Sequence, residues 1–346
     1  MSRRVDTLEG MTALRWGLLA ASGIATTFAT ALRAVDRQIV AVGSRTQDAA
    51  DSFARRLDIP RAHASYEALV ADPDVDIVYV STPHPMHHAN ARLALEYGKH
   101  VLVEKAFTLT QAQAEDLRRL AAEKGLLVME AMWTRYLPHM VRIRQIIAEG
   151  TLGEIRAVMA DHTQSLPTDP AHRLNALELG GGALLDLGIY PISFIWDVLG
   201  EPTSIQASAR LLPTGADAEV ATVMRHAGGA ISTSLSSSRA AGPNTATVIG
   251  TKARIDIDRV WYSPTSFRVI AADGTVIEEY KSDVKSNGMQ YEALAAERLI
   301  AEGNLNGDLL PIAESVAIMG TLDEIRRQVG IVYPDVDDAR PGGEAH

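Results

Sequence analysis

Asp186 and Tyr190 stand four residues apart in the segment Gly180-Gly181-Gly182-Ala183-Leu184-Leu185-Asp186-Leu187-Gly188-Ile189-Tyr190-Pro191. On a helix that spacing puts both on one face, one turn from each other. A carboxylate and a phenol on a Leu/Ile face are parts for handling a proton. They equally suit a buried Tyr whose hydroxyl is capped by Asp186, and the segment alone leaves both readings open. The three glycines let the chain turn tightly and let a ligand approach the main chain. The helix start behind them exposes N–H groups that favour an anion or a polar ligand. A third chemical group, Lys105, follows the apolar run His100–Val103 and Glu104. A lysine at a strand end is usually a surface charge, but this one follows Val-Leu-Val, so its stem reads as half buried.

Composition bounds what these groups can serve. At 346 residues the chain exceeds what one core organises, so two domains are expected. With 47% hydrophobic and 22% charged residues it has ample apolar material for both. The net charge of −10 argues against a nucleic-acid partner, which needs a Lys/Arg surplus. The absence of Cys excludes disulfides, a thiolate nucleophile and a cysteine zinc site, and it is compatible with a cytoplasmic location, which is the expectation here. Arg3-Arg4, Leu18–Ala21 and Thr27–Ala31 imitate a twin-arginine signal. However, Asp6 and Glu9 interrupt its charged region and Ser22-Gly23 breaks its apolar one. Residues 1–13 therefore read as a loose arm. No stretch is expected to approach the ~20 apolar residues of a membrane span, and no membrane partner is expected.

Residues 14–130 alternate short apolar runs with amphipathic helical patterns, which predicts βαβ units and a doubly wound parallel sheet of Rossmann type. The runs are Leu14–Ala20, Gln38–Gly43, Asp76–Ser81, His100–Val103 and Leu126–Met129. In such a fold the first strand-to-helix turn meets a dinucleotide pyrophosphate. Here Ala20, Ser22 and Ala25 occupy the G-x-G-x-x-G/A positions, with Gly23 and Ile24 between them, so the fingerprint alone is weak and a plain turn explains it nearly as well. After the second run, where an NAD site places an acid, the chain has Ser44 and Arg45. A guanidinium beside hydroxyls suits a 2′-phosphate, so NADP is expected, with NAD the alternative; a helix cap followed by a solvated Arg is the competing reading. The next strand end carries Thr82, Pro83, His84 and His87, and the one after it Glu104 and Lys105, all facing the ligand crevice. Three nearby histidines invite a metal, but no carboxylate or cysteine stands at ligand spacing, so none is expected.

Residues 131–330 change to period-two strands separated by turns such as Asp273-Gly274, which predicts an α+β domain on a large, open, mostly antiparallel sheet. The Gly180–Leu199 helical segment interrupts it, and helices over Gly288–Ala301 and Pro311–Val329 close it; residues 331–346 read as a polar tail. An open sheet face invites aggregation, which predicts a homodimer or homotetramer through that sheet.

Four segments together resemble the glucose–fructose oxidoreductase/inositol dehydrogenase (Gfo/Idh/MocA) family. They are Thr82-Pro83-His84 with His87, Gly98–Lys105, Glu130–Pro138 and Gly180–Pro191. The nearest likeness is to its branch of dimeric dihydrodiol and NADP-dependent D-xylose dehydrogenases, over roughly residues 14–330. The resemblance implies that Lys105 is the family's lysine of E-K-P, Asp186 its helix acid and Tyr190 its acid/base residue. It also implies dimerisation through the sheet. Two departures stand out: Ala20 and Ser22 replace glycines, and Ala106 replaces a proline whose preceding peptide bond is commonly cis. A non-proline cis bond costs roughly 2.5–4 kcal/mol, so either a trans bond with a shifted Lys105 or a cis bond held by its surroundings is expected.

Hydride exchange between C–OH and nicotinamide needs a group that takes or gives the hydroxyl proton. A free Tyr, with a pKa of about 10, is a poor base, and a neighbouring ammonium lowers that value. The assignment is therefore Tyr190 as acid/base, Lys105 as its charge partner and substrate-oxygen donor, and Asp186 as orienter of both and binder of a substrate hydroxyl. Trp133, Arg135, Tyr136, His162, Gln164 and Arg173 are expected near the cleft. Trp133 and Arg135 are assigned to the cofactor, and Trp133, His162 and Arg173 to a substrate whose hydroxyls pair while its C–H face stacks. That describes a sugar or a related vicinal diol. Two other readings keep the fold: a nonreleased cofactor serving sugar–sugar oxidoreduction or oxidation-assisted glycoside cleavage, and a non-catalytic nucleotide sensor.

Overall fold

The computed structural model describes residues 13–334 and 336; the arm before residue 13, with the Arg3-Arg4 pair of the twin-arginine reading, and most of the 331–346 tail lie outside the described residues. Six parallel strands form the first sheet: β1 (Arg15–Leu19), β2 (Gln38–Gly43), β3 (Arg61–His63), β4 (Ile77–Val80), β5 (His100–Glu104) and β6 (Val128–Ala131). Their order is β3-β2-β1-β4-β5-β6, a doubly wound sheet. The connecting helices are α1 (Gly23–Arg33), α2 (Gln47–Arg56), α3 (Tyr66–Val70), α4 (His87–Glu96) and α5 (Gln111–Lys124). β1 and β4 are wholly apolar inside because helices cover both faces of the sheet. β3 and α3, of three and five residues, are too short to show a period and were not legible in the sequence. Asp72 holds β3 in place by accepting from Arg61 Nε at 2.8 Å and contacting His63 Nε2 at 2.9 Å.

After α6 (Pro138–Ala148) the chain builds an eight-stranded sheet. Its strands are β7 (Ile155–Thr163), β8 (Pro202–Leu211), β9 (Asp217–His226), β10 (Ile231–Ser237), β11 (Ala246–Gly250), β12 (Ala253–Ile257), β13 (Phe267–Ala271) and β14 (Val276–Tyr280). The order is β14-β13-β12-β11-β7-β10-β9-β8; only β7 and β10 pair in parallel. The α+β reading with a mostly antiparallel sheet is thus borne out. One face of the sheet packs under α7 (Ile189–Leu199). The other exposes Met159, Val223 and Leu235, two of which sit beside Thr233 in register.

The Leu177–Leu199 segment corrects one expectation. It is 23 residues long with a mean hydropathy of 1.4, which meets the composition of a membrane span. It is nevertheless a core element, 78% buried in its most apolar window and broken by the glycine turn. β7 and β10 cover it on one side and the Ile312–Val329 helix and the Trp133–Tyr136 turn on others, so apolar residues are needed nearly all round, and that mimics a span.

α8 (Gln290–Ala301) and α9 (Ile312–Val329) cross back over the first sheet. Glu297 of α8 accepts from Trp16 Nε1 at 2.9 Å and from Arg37 Nε at 2.6 Å. On α9, Asp323 accepts from Gln111 N–H, while Gln328 pairs with the backbone of β8 at Ile205 and Ala207. One helix thereby fastens the α5 start to the edge of the second sheet.

Candidate active site

β4, β5 and the turn after β1 end on one side of the first sheet, and the Asp186–Tyr190 segment faces them from the second domain. Between them runs a cleft of about 350 Å³. Ser22, Gly23 and Ile24, where the turn after β1 enters α1, line it, together with Thr82, Pro83, His84 and His87 after β4, Glu104 and Lys105 at the end of β5, and Arg173 and Asp186 of the second domain. The strand-end residues assigned from sequence are therefore brought together.

Lys105 is held tightly. Its Nζ donates to the Asp186 carbonyl at 2.8 Å, lies 3.8 Å from Asp186 Oδ1 and sits 5.0 Å from the centre of the Tyr190 ring. The Lys105–Ala106 peptide bond is cis. Both carbonyls of that dipeptide meet imidazole rings: Lys105 O lies 3.2 Å from His84 Nε2, and Ala106 O lies 2.9 Å from His87 Nδ1. The far nitrogens of those rings reach Gly180 O at 3.3 Å and Thr82 O at 2.7 Å. Both histidines are thus engaged with main-chain oxygens, and burial pushes His84 down to about 3. Behind Lys105, Glu104 hydrogen-bonds the buried Tyr79 hydroxyl.

Asp186 lies on a π-helical turn, Leu184–Gly188, that runs directly into α7. Pro191 at the third position of α7 lacks an N–H and crowds the preceding turn, which is a sufficient local cause for the widened helix. The turn is anchored at its start by Asp217, whose Oδ2 accepts the Leu184 N–H at 2.6 Å. Arg173 Nη1 reaches Asp186 Oδ1 at 3.3 Å. Burial works against ionising Asp186, but the Lys105 and Arg173 cations outweigh it and hold its carboxyl at about 2. Burial likewise opposes the Lys105 charge; Tyr190, Asp186 and Glu104 together more than compensate, and its pKa lies above the usual lysine value.

Tyr190 packs beside Lys105, with 8% of its surface exposed. Its hydroxyl accepts from Trp133 Nε1 at 2.9 Å. The expectation that the ammonium brings this phenol below its ordinary value is corrected here. Burial pushes Tyr190 up to about 12, and the opposing pull of Lys105 is the smaller effect.

The remaining assignments separate. His162 stacks on Tyr262 at 3.8 Å and meets the Tyr190 ring edge-on at 5.0 Å; its Nε2 lies 2.8 Å from Gln164 Nε2. Tyr262, missed in the sequence, comes from the loop after β12, where period-two patterning carries no signal. Arg135 turns away from the cleft: its guanidinium, 3% exposed, pairs with Asp197 at 3.0 Å and Glu314 at 2.5 Å and donates to Ser193. Two carboxylates, Asp197 nearly buried and Glu314 half-buried, outcompete a solvent-facing ligand for that charge, so its role as a cofactor contact is corrected to a brace between α7 and α9. Tyr136 is buried beside it.

Residues 14–132 match the oxidoreductase family with an NAD-binding Rossmann fold, and residues 140–256 match the GFO/IDH/MocA C-terminal domain. A trans-1,2-dihydrobenzene-1,2-diol dehydrogenase of Bos taurus is 36% identical, over 93% of this chain and 98% of its own. A D-xylose 1-dehydrogenase (NADP(+)) of Hypocrea jecorina is 37% identical, over 93% and 94%. Among solved structures, the 3-ketoreductase KijD10 of Actinomadura kijaniata, in complex with NADP and TDP-benzene, superposes with a TM-score of 0.82 at 26% identity, over 92% of this chain and 98% of that one.

The chain belongs to the Gfo/Idh/MocA family. It is an NAD(P)-dependent oxidoreductase of CH–OH groups with a dinucleotide-binding Rossmann domain. The turn after β1 fits the family's cofactor despite its missing glycines. Ala20 adopts a φ of 110°, in the region that favours glycine, so the backbone takes the path the replaced residue would take. Ser22 caps α1 by accepting the Ala25 N–H at 3.1 Å and is steadied by Ser81 Oγ at 3.0 Å, which leaves the first turn of the helix open to an anion. Beyond β2, Ser44 is buried, Thr46 caps α2, and Arg45 is exposed with no ion-pair partner among the described residues.

Proposed function

We propose that this oxidoreductase is NADP-dependent and interconverts a hydroxyl and a carbonyl on a sugar, an aldose or pyranose, or on a related vicinal diol. The observation that carries the reading is the meeting of Lys105 from one domain with Asp186 and Tyr190 from the other, Nζ within 2.8 Å of the Asp186 carbonyl. When bound, the nicotinamide supplies or accepts the hydride. Tyr190 holds the proton at Oη, giving it to a carbonyl oxygen or taking it from a hydroxyl. Lys105 polarises that same oxygen, and Asp186 fixes the ammonium and binds a neighbouring hydroxyl. The paired cations and carboxylate, with the His162–Tyr262 stack beside them, suit a ring with polar edges and a C–H face. The names of the two curated relatives, a diol and a xylose dehydrogenase, support the same substrate class. A panel of aldoses and vicinal diols run with NADP and NAD and followed by nicotinamide absorbance tests it; no turnover across the panel, with the cofactor still bound, would sink the sugar and diol reading.

The cofactor preference rests on Arg45. Arg45→Ala is expected to raise the KM for NADP by ~10–100-fold, the worth of a charge-assisted contact, and to change that for NAD by less than ~3-fold. Unchanged kinetics with both cofactors would remove Arg45 from the site.

The open sheet face supports a homodimer or homotetramer. Met159, Val223 and Leu235, exposed by 51, 46 and 46%, form an apolar stripe on adjacent strands. Leu235→Arg is expected to convert the assembly to monomers in sedimentation; a wild-type protein that is monomeric at tens of micromolar would refute this. A cytoplasmic location accompanies the proposal and is read by cell fractionation.

A further inference from the structure

A group that can only donate hydrogen bonds sits on the Tyr190 oxygen. The Trp133 Nε1–H donates to Tyr190 Oη at 2.9 Å, and an indole N–H has no lone pair to offer. One lone pair of the phenol is therefore occupied by Trp133, and the hydroxyl's own hydrogen must point elsewhere. Lys105 does not satisfy this oxygen here: its Nζ is engaged with the Asp186 carbonyl at 2.8 Å and approaches the Tyr190 ring face. The indole is also delivered by a rigid piece of chain. It opens the short turn Trp133–Tyr136 after β6, in which Thr134 Oγ1 donates to Tyr262 O at 2.6 Å. Arg135, next along, is locked to Ser193, Asp197 and Glu314. Ser193 and Asp197 lie on α7, the helix that carries Tyr190, so the Trp133 turn and the phenol are fixed to the same element.

We infer that Trp133 is a positioning residue for proton transfer: its N–H orients the Tyr190 hydroxyl so that the hydrogen is free for the substrate, and it binds the phenolate that remains. In the reducing direction the Tyr190 O–H bond breaks, the hydrogen joins the substrate oxygen and the electron pair stays on Oη, where the indole donor holds it. In the oxidising direction the phenolate takes the hydroxyl hydrogen and the same contact is kept. A donor-only partner strengthens as its acceptor gains charge, so it favours the ionised form. The inference rests on Tyr190 as the acid/base of the proposed reaction. The groups facing Tyr190 are Lys105 and Glu104 from the end of β5, Tyr79 of β4, Asp186 of its own segment, His162 of β7 and Tyr262. None of them donates a hydrogen bond to Oη among the described contacts, and Trp133 does.

Trp133→Phe keeps an aromatic face and deletes only the N–H. It is expected to lower kcat by ~10-fold and to displace the pH profile of alcohol oxidation upward by ~1 unit, with substrate KM and the cofactor dissociation constant from fluorescence titration within ~2-fold. In a Tyr190→Phe background the same change is expected to cost nothing more, because its target is gone. Unchanged kcat and pH profile for Trp133→Phe, a loss confined to KM, or an equal loss in both backgrounds would overturn the inference. Full activity in Tyr190→Phe alone would overturn the acid–base reading beneath it, which keeps the two failures distinct.

Discussion

Tyr190→Phe is expected to lower kcat by ~10²–10⁴-fold in both directions, the usual worth of a positioned acid/base, while cofactor binding persists. Phe retains the ring that packs against His162 and Tyr262, so the fold and the Lys105 contact with the ring face survive. Only the oxygen that exchanges the proton is lost. The pH dependence adds a second reading. Burial holds Tyr190 up at about 12, so the phenol keeps its proton through neutrality. Carbonyl reduction, which needs the protonated form, is then flat with pH across the neutral range. Alcohol oxidation, which needs the phenolate, climbs with pH, and that climb should vanish in Tyr190→Phe. Steady-state rates in both directions from pH 6 to 10 decide it; an undiminished rate removes Tyr190 from the chemistry.

Gly182→Ala is expected to cost ~3 kcal/mol, combining a strained backbone with a lost cap, and to reduce activity beyond what its stability loss explains. Gly182 adopts a φ of +134°, which L side chains rarely take, and a Cβ there would collide with Asp217 Oδ1. Asp217 is fully buried, and its other oxygen accepts the Leu184 N–H at 2.6 Å, fixing where the Asp186 turn begins. Pushing the carboxylate aside frees that N–H and lets the segment carrying Asp186 and Tyr190 shift. Burial also raises Asp217 to about 6, so the displaced acid has little to gain from staying buried and charged. A melting temperature within a degree of wild type, with normal kcat, would show that the glycine is dispensable; a fall of roughly 6–12 °C is expected.

The glycine run at 180–182 was legible in the sequence as a place of close approach, but what approaches it was not. Asp217 lies 35 residues on, at the start of β9, and no spacing rule connects it to Gly182. Tyr262 and Asp217 share that obscurity because each acts through a contact between distant elements. Arg135 shows the converse. Its neighbours in sequence pointed to the cleft, yet Asp197 and Glu314, from α7 and α9, draw it the other way. The direction of the Tyr190 shift was hidden for a related reason: a neighbouring ammonium can be guessed from a motif, whereas the extent of burial depends on every element packed around the ring.

The residue order by itself determined the two sheets and nearly all their strands, and it singled out the lysine, aspartate and tyrosine that the fold brings together. Period-two and βαβ patterning is set by which face of each element must leave water, and that is a local property. Tertiary structure alone decided which charges pair, which hydroxyl is held by Trp133, and how far Tyr190 lies from its ordinary proton affinity. Those outcomes are sums over neighbours brought together from both domains, and the energy of each depends on distances and desolvation that no single segment carries.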